Sequence, residues 1–175
     1  MKQKFHAKKV VRLATMLLCI GAMCCLVGCS KKEAITKAEF AKTMDSLDYQ
    51  VEDQSKMIVN QDFDVMYLAR PHAEIEKAKE DASYKSQHQV EFYQFKDSDA
   101  CEKAFDKSSD ELVQAYKEAD GYKSKSKTKS NYGYRWVETE KLWYQISYVD
   151  DTIVVGVAPL SEKVDLQKTF EKLGY

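Results

Sequence analysis

Glycine is scarce in this chain, with six residues among 175, and none of them builds a Gly-x-Ser-x-Gly elbow or a loop able to cradle phosphate. The usual sequence signatures of serine hydrolases and nucleotide-binding enzymes are therefore missing. Histidine is scarcer still, at three. His72 and His88 stand sixteen positions apart in polar surroundings, without the additional ligands at short spacing that a zinc centre gathers. Both are expected to be solvated, and neither a metal nor a cofactor is expected. Positive charge is not in excess either, since 27 basic residues face 28 acidic ones. A nucleic-acid partner, which would ask for a strongly basic balance, is thereby excluded. No apolar run reaches the roughly 20 residues that span a bilayer as a helix. The longest, residues 13–27, ends at Gly28-Cys29-Ser30 and then Lys31-Lys32.

That run is nevertheless the most informative segment present. Lys2, Lys4, Lys8, Lys9 and Arg12 precede it without any acidic residue, which is the layout of a secretory signal. Its last four residues, Leu26-Val27-Gly28-Cys29, resemble the lipobox of bacterial lipoproteins. The resemblance implies removal of residues 1–28, a diacylglycerol on the Cys29 sulfur, and Cys29 as the new N-terminus. Two acyl chains hold a protein stably to a bilayer where one does so only marginally. The implied organisation is a signal peptide (1–28), a lipidated Cys29 with a short tether (29–34), and a single extracytoplasmic domain (35–175) hung from the cell membrane. Processing would also change the charge balance, because losing the five basic residues before Cys29 leaves 22 against 28, a net of −6. Of five cysteines, Cys19, Cys24 and Cys25 fall in the signal and Cys29 takes lipid, so Cys101 remains alone and can form no intramolecular disulfide. Flanked by Ala100 and Ala104-Phe105 in a helical pattern, it reads as a small buried apolar residue.

About 145 residues suffice for one domain with a core of its own. Thr36 and Glu39 form a capping-box pattern, followed by Phe40, Met44 and Leu47 at helical spacing. Residues 49–53 and 63–69 read as strands, and Pro71 interrupts. Residues 71–87 are polar, with a short exposed helix expected around Ile75 and Ala78. Residues 89–95 read as a strand covered on both faces, Val90 and Phe92 pointing one way and Tyr93 and Phe95 the other. Asp97 is placed to cap a helix whose apolar stripe is Cys101, Ala104, Phe105, Leu112, Val113 and Tyr116. Three strands follow over 131–138, 141–149 and 152–158, with connections short enough for an antiparallel meander. A closing helix brings Leu166, Phe170 and Leu173 inward.

An internal echo orders these pieces. Lys42-Thr43-Met44-Asp45-Ser46-Leu47-Asp48-Tyr49 matches Lys168-Thr169-Phe170-Glu171-Lys172-Leu173-Gly174-Tyr175 in type at most positions, and Asp120-Gly121-Tyr122 ends the middle helix in the same manner. Each reads as a helix exit with a left-handed residue followed by an aromatic that folds back, as in a Schellman cap. The expected fold is α+β: an antiparallel sheet of about six strands, helices mainly on one face, and a helix-strand-strand-strand unit used twice before the closing helix. Glu91-Phe92-Tyr93-Gln94-Phe95, the Ala100, Ala104-Phe105 spacing and the terminal Leu173-Gly174-Tyr175 are similar to small uncharacterised lipoproteins of Gram-positive bacteria. That likeness implies class and location, and it carries no active residue.

Three constellations remain. Asp150-Asp151 lies between two strands, where acidic turn residues are common. Lys123, Lys125, Lys127 and Lys129 alternate with Ser and Thr, so an extended backbone projects all four ammonium groups from one face. Such a comb is either a solvated loop, a lysine-guarded edge strand, or a holder of polyanions such as a phospholipid surface or a phosphate-rich wall polymer. The aromatic set Tyr132, Tyr134, Trp136, Trp143, Tyr144 and Tyr148 reads mostly as sheet core, although a row left open could stack on sugars or grip a peptide. These features point to a lipid-anchored envelope protein working as a non-enzymatic binding or accessory module, with an anionic envelope polymer or a protein as partner. An envelope hydrolase and a small substrate-binding component of a transport system are the alternatives.

Overall fold

Thr36 and Glu39 open the first helix as their spacing predicts. In the computed structural model, which describes residues 31–58 and 62–175, the Glu39 N–H donates to the Thr36 hydroxyl at 3.2 Å. The Thr36 N–H donates to the Glu39 carboxylate at 2.8 Å. This box starts α1 (Lys37–Asp45). The chain continues through β1 (Tyr49–Asp53), β2 (Phe63–Pro71), α2 (His72–Glu80), β3 (Gln89–Phe95) and α3 (Ser98–Tyr116). It then runs through β4 (Lys123–Thr128), β5 (Tyr132–Glu138), β6 (Leu142–Val149) and β7 (Thr152–Pro159) to α4 (Lys163–Lys172). Asp97 caps α3 by accepting the Ala100 N–H at 2.8 Å.

The seven strands of the described residues form one antiparallel sheet in the order β1-β2-β3-β7-β6-β5-β4. The expected α+β class and antiparallel sheet hold, and the strand beyond the anticipated set is β4, the lysine segment, at one edge. Period-two alternation divides the core. On one face Val90, Phe92, Trp143, Val154 and Ala158 pack under Phe40 and Met44 of α1 and Leu166 and Phe170 of α4. On the other, Phe95, Ile146, Tyr148 and Ile153 meet Cys101 and Phe105 of α3. Most of the helices thus lie on one side, with the longest on the other, and β3 is covered on both faces as its residues suggested. Each fully buried Phe, Leu or Val contributes about 1.5–3 kcal/mol over leaving it exposed. Gly156 lets α4 settle onto β7, since a Cβ there would lie 2.7 Å from the Phe170 ring and 2.9 Å from Leu166.

The three helix exits share one device. Asp48, Gly121 and Gly174 have φ of 64°, 70° and 81°, and the Tyr175 N–H donates back to the Phe170 carbonyl at 2.9 Å. The two strand meanders are also present, β1-β2-β3 and β5-β6-β7, and they meet along β3 and β7. The helices do not follow this pattern: α1 and α3 precede the two meanders but pack on opposite faces of the sheet. The repeat is therefore one of strands. Residues 32–175 form one compact unit. Among the described residues, no helix is long and apolar enough to cross a membrane.

Candidate functional site

The β4 edge and its neighbour β5 bring the two leading constellations onto a single face. Lys123 pairs with Glu138, Lys125 with Trp136 and Lys127 with Tyr134, so the three lysines stand on the side of the sheet that carries the Tyr132, Tyr134 and Trp136 row. Lys129 follows in the turn, its N–H donating to the Tyr132 carbonyl at 2.8 Å. All four lysines are exposed and the three aromatics are half-buried. Lys123, Lys125 and Lys127 therefore stand on an edge strand, and Lys129 lies just beyond it. Trp136 stacks on Trp143 with centroids 4.7 Å apart, and Trp143, at 1 % exposure, belongs to the core.

Helix α4 borders this face and is tied to both ends of β5. At its start, Lys163 lies 4.3 Å above the Trp143 ring and donates to Glu138 at 2.6 Å, while Lys123 donates to the same carboxylate at 2.7 Å. Hydrogen bonds from these two lysines hold the Glu138 carboxyl below its usual range. At its end, Lys32 donates to the Gly174 carbonyl at 2.8 Å, and Asn131 at the head of β5 donates to the Lys32 carbonyl at 2.7 Å. The Lys32 ammonium sits 5.2 Å over the Tyr132 ring, which Lys127 also approaches at 6.0 Å. Burial, and then the Lys127 charge, lower the Lys32 pKa. The segment just after Cys29 is thus clasped at the Lys127–Lys129 end of the comb. Sequence reasoning had no means of finding this, because the clasp joins residues 99 and 142 positions apart. Among the described residues Lys125 and Lys129 pair with no carboxylate, so cationic donors and aromatic surface are available together to an anionic partner.

Two other polar sites occur. A groove of about 900 Å³ runs between α3 and the opposite face of the sheet, lined by Glu91, Tyr93, Tyr144, Gln145, Lys103 and Lys107 among others. Its tyrosines are engaged: the Tyr93 hydroxyl donates to Glu91, which also accepts from Gln89 at 2.7 Å, and the Tyr144 hydroxyl lies 2.5 Å from that of Tyr116. Burial raises the Tyr93 and Tyr144 hydroxyl pKa values well above the usual tyrosine range. The second site corrects the reading of His88 as solvated. His88 is 4 % exposed. Its Nε2 meets the Tyr49 hydroxyl at 2.7 Å and its Nδ1 meets Glu162 at 2.6 Å. Local polarity suggested a surface position, and tertiary packing supplied partners 39 and 74 residues away. The line Glu162, His88, Tyr49 has the order of an orienting acid, a base and a hydroxyl, but Tyr49 is 6 % exposed, leaving no open side for a substrate. His72 is exposed as expected, and among the described residues no His, Cys, Asp and Glu cluster could hold a metal.

Of the remaining expectations, Asp150-Asp151 forms the β6–β7 turn, with Asp150 at φ 49°. Cys101 is fully buried, and desolvation followed by the Asp151, Asp150 and Glu102 charges pushes its thiol up to about 12. Cys29 lies outside the described residues. No family model matches the sequence, and no curated protein does. Among solved structures, the extracellular domain of PknH from Mycobacterium tuberculosis is similar at 12 % identity and a TM-score of 0.37, over 80 % of this chain and 90 % of that one. That likeness brings no functional residue to this chain.

Proposed function

We propose that the protein is a bacterial envelope lipoprotein, anchored through a diacylglycerol on Cys29, whose extracytoplasmic domain is a binding module for an anionic partner. The observation that carries this reading is the joining of Lys123, Lys125 and Lys127 with Tyr132, Tyr134 and Trp136 on one side of β4 and β5, with exposed Lys129 following in the turn. Lysines supply point charges for phosphate or carboxylate groups, and half-buried aromatics offer flat surface without unfolding. The rest of the mature chain is acidic, so a local cationic field attracts polyanions to this side and away from the others. His88 and the groove tyrosines, whose polar atoms are already partnered, support a binding role over a hydrolytic one.

The anchor is tested by the intact mass of the mature protein and by Cys29→Ser, which should leave the protein unprocessed or released from membranes. A cleaved mutant that fractionates with membranes at the wild-type mass would overturn it. The binding face is tested with the Cys29→Ser protein and soluble polyphosphate as probe. Binding should weaken steeply with salt, since exposed charges are screened within about 8 Å at physiological ionic strength. Replacing the four lysines by Gln should abolish it with little change in thermal midpoint, and equal binding by both proteins at low salt would refute the assignment.

A further inference from the structure

The tether and the comb meet at one end of the sheet, and that placement defines an orientation. Only three residue steps separate Cys29 from Lys32, which at about 3.5 Å each allow roughly 10 Å between the lipid-bearing sulfur and the clasp. The clasp itself has three parts: Lys32 to Gly174 at 2.8 Å, Asn131 to the Lys32 carbonyl at 2.7 Å, and the ammonium over Tyr132 at 5.2 Å. The sequence thus leaves only Ser30 and Lys31 between Cys29 and the clasped Lys32. We infer that the lysine face of β4 rests against anionic phospholipid headgroups, with the Lys32 clasp holding it there; this rests on the lipid-anchored reading above.

Three observations support the fit. Lys127 and Lys129 stand at the clasped end, and Lys31 and Lys32 precede it in sequence, so positive charge is densest beside the anchor. The comb extends from there along six residues of edge strand, or roughly 20 Å at about 3.3 Å per residue, long enough to lie across several headgroups. Beside it runs the row of Tyr132, Tyr134 and Trp136, the residue types that settle at membrane–water boundaries. Of the acids at this end, Glu33 follows Lys32 directly and is exposed, while Asp150 and Asp151 lie across β5 from the comb, where Asn131 and Gln94 donate to them. A domain of net negative charge meets an anionic bilayer most favourably through such a face, and that contrast favours one orientation.

The test uses the full lipoprotein, its lipid confirmed by mass, in vesicles of phosphatidylcholine alone or with one-third phosphatidylglycerol. Acetylation of each lysine by an amine-reactive reagent is followed by mass spectrometry, with Lys103 and Lys107 on the opposite face as internal controls. Lys125, Lys127 and Lys129 should react at least threefold more slowly on the anionic vesicles, the controls should not change, and high salt should remove the difference. Asn131→Leu, which deprives the tether of one donor, should reduce the protection. Equal rates on both vesicles would overturn the inference. Protection by soluble polyphosphate without protection on vesicles would also overturn it, while leaving the polyanion-binding function intact. If Cys29 proves to carry no lipid, the anchored reading fails separately. The same footprint with Cys29→Ser protein then decides the face: salt-sensitive protection on anionic vesicles supports it, and none refutes it.

Discussion

Replacing Glu74 should expose how much of the 71–87 segment depends on one buried carboxylate. Glu74 is 4 % exposed, and it accepts from the Tyr84 hydroxyl at 2.8 Å, Ser86 at 3.0 Å, the Gln87 N–H at 3.2 Å and Lys77 at 2.8 Å. Burial alone would raise its pKa, but these donors outweigh it and hold the group at about 2 against an ordinary 4.5. A difference of about 2.5 units corresponds to about 3 kcal/mol favouring the ionised, folded form. The hydrogen-bond count leads to a similar size. Bonds to a charged acceptor contribute about 1.5–3 kcal/mol each before relaxation, and Lys77, Tyr84 and Ser86 are exposed enough to recover part of that from water. Because the folded pKa is depressed, this stability is fully present above the unfolded value near 4.5 and is lost as pH falls toward 2. Urea unfolding followed by tryptophan fluorescence at pH 7, 4.5 and 2.5 measures it. Glu74→Gln should lower stability by about 2–3 kcal/mol at pH 7, and the wild type should converge on the variant between pH 4.5 and 2.5. A constant gap at all three pH values would refute the reasoning.

The helix exits predict a graded pair: Gly121→Val should cost about 2 kcal/mol or more, from left-handed strain and from a Cβ set 2.7 Å from the Glu140 Cγ. Gly174→Ala, where nothing lies within 4 Å, should cost only about 1 kcal/mol from strain alone, and the reverse order in thermal melts would contradict this. Tyr49→Phe leaves the buried His88 Nε2 without its hydroxyl partner and should lower the urea midpoint by an amount equivalent to about 1–3 kcal/mol. In native protein the Cys101 thiol should react with a chromogenic disulfide reagent no faster than the chain unfolds, because it is buried and its thiolate is disfavoured; rapid labelling would show an unrecognised opening of α3.

Much of the architecture was legible in short-range patterns. The Thr36–Glu39 box, the Asp97 cap, the alternation in residues 89–95 and the left-handed exits at Gly121 and Gly174 are all decided by neighbours within a few positions, and each appears as read. The lysine segment left loop and edge strand both open because Lys, Ser and Thr at alternate positions contain nothing apolar to declare a buried side. Only pairing with β5, whose Tyr and Trp residues do carry such a signal, turned it into a strand. Glu74 and His88 were misjudged or missed for a shared reason: a polar side chain is buried only when distant residues satisfy it, and Tyr84, Tyr49 and Glu162 are brought there by the fold. The Lys32 clasp is the extreme case, since its partners come from the other end of the chain.

The β3–β7 pairing has a consequence for how this protein reaches its final place. Residues 89–95 wait for residues 152–159 before the centre of the sheet exists, and Phe170 and Leu166 must arrive later still to seal the face above it. Contacts so widely separated in sequence form slowly and late. On the proposed route out of the cell, where the N-terminus leads, the chain would stay pliable through almost its whole length while it is threaded across the membrane. The domain could then close only after residues 152–170 had crossed, beside the anchor proposed at Cys29.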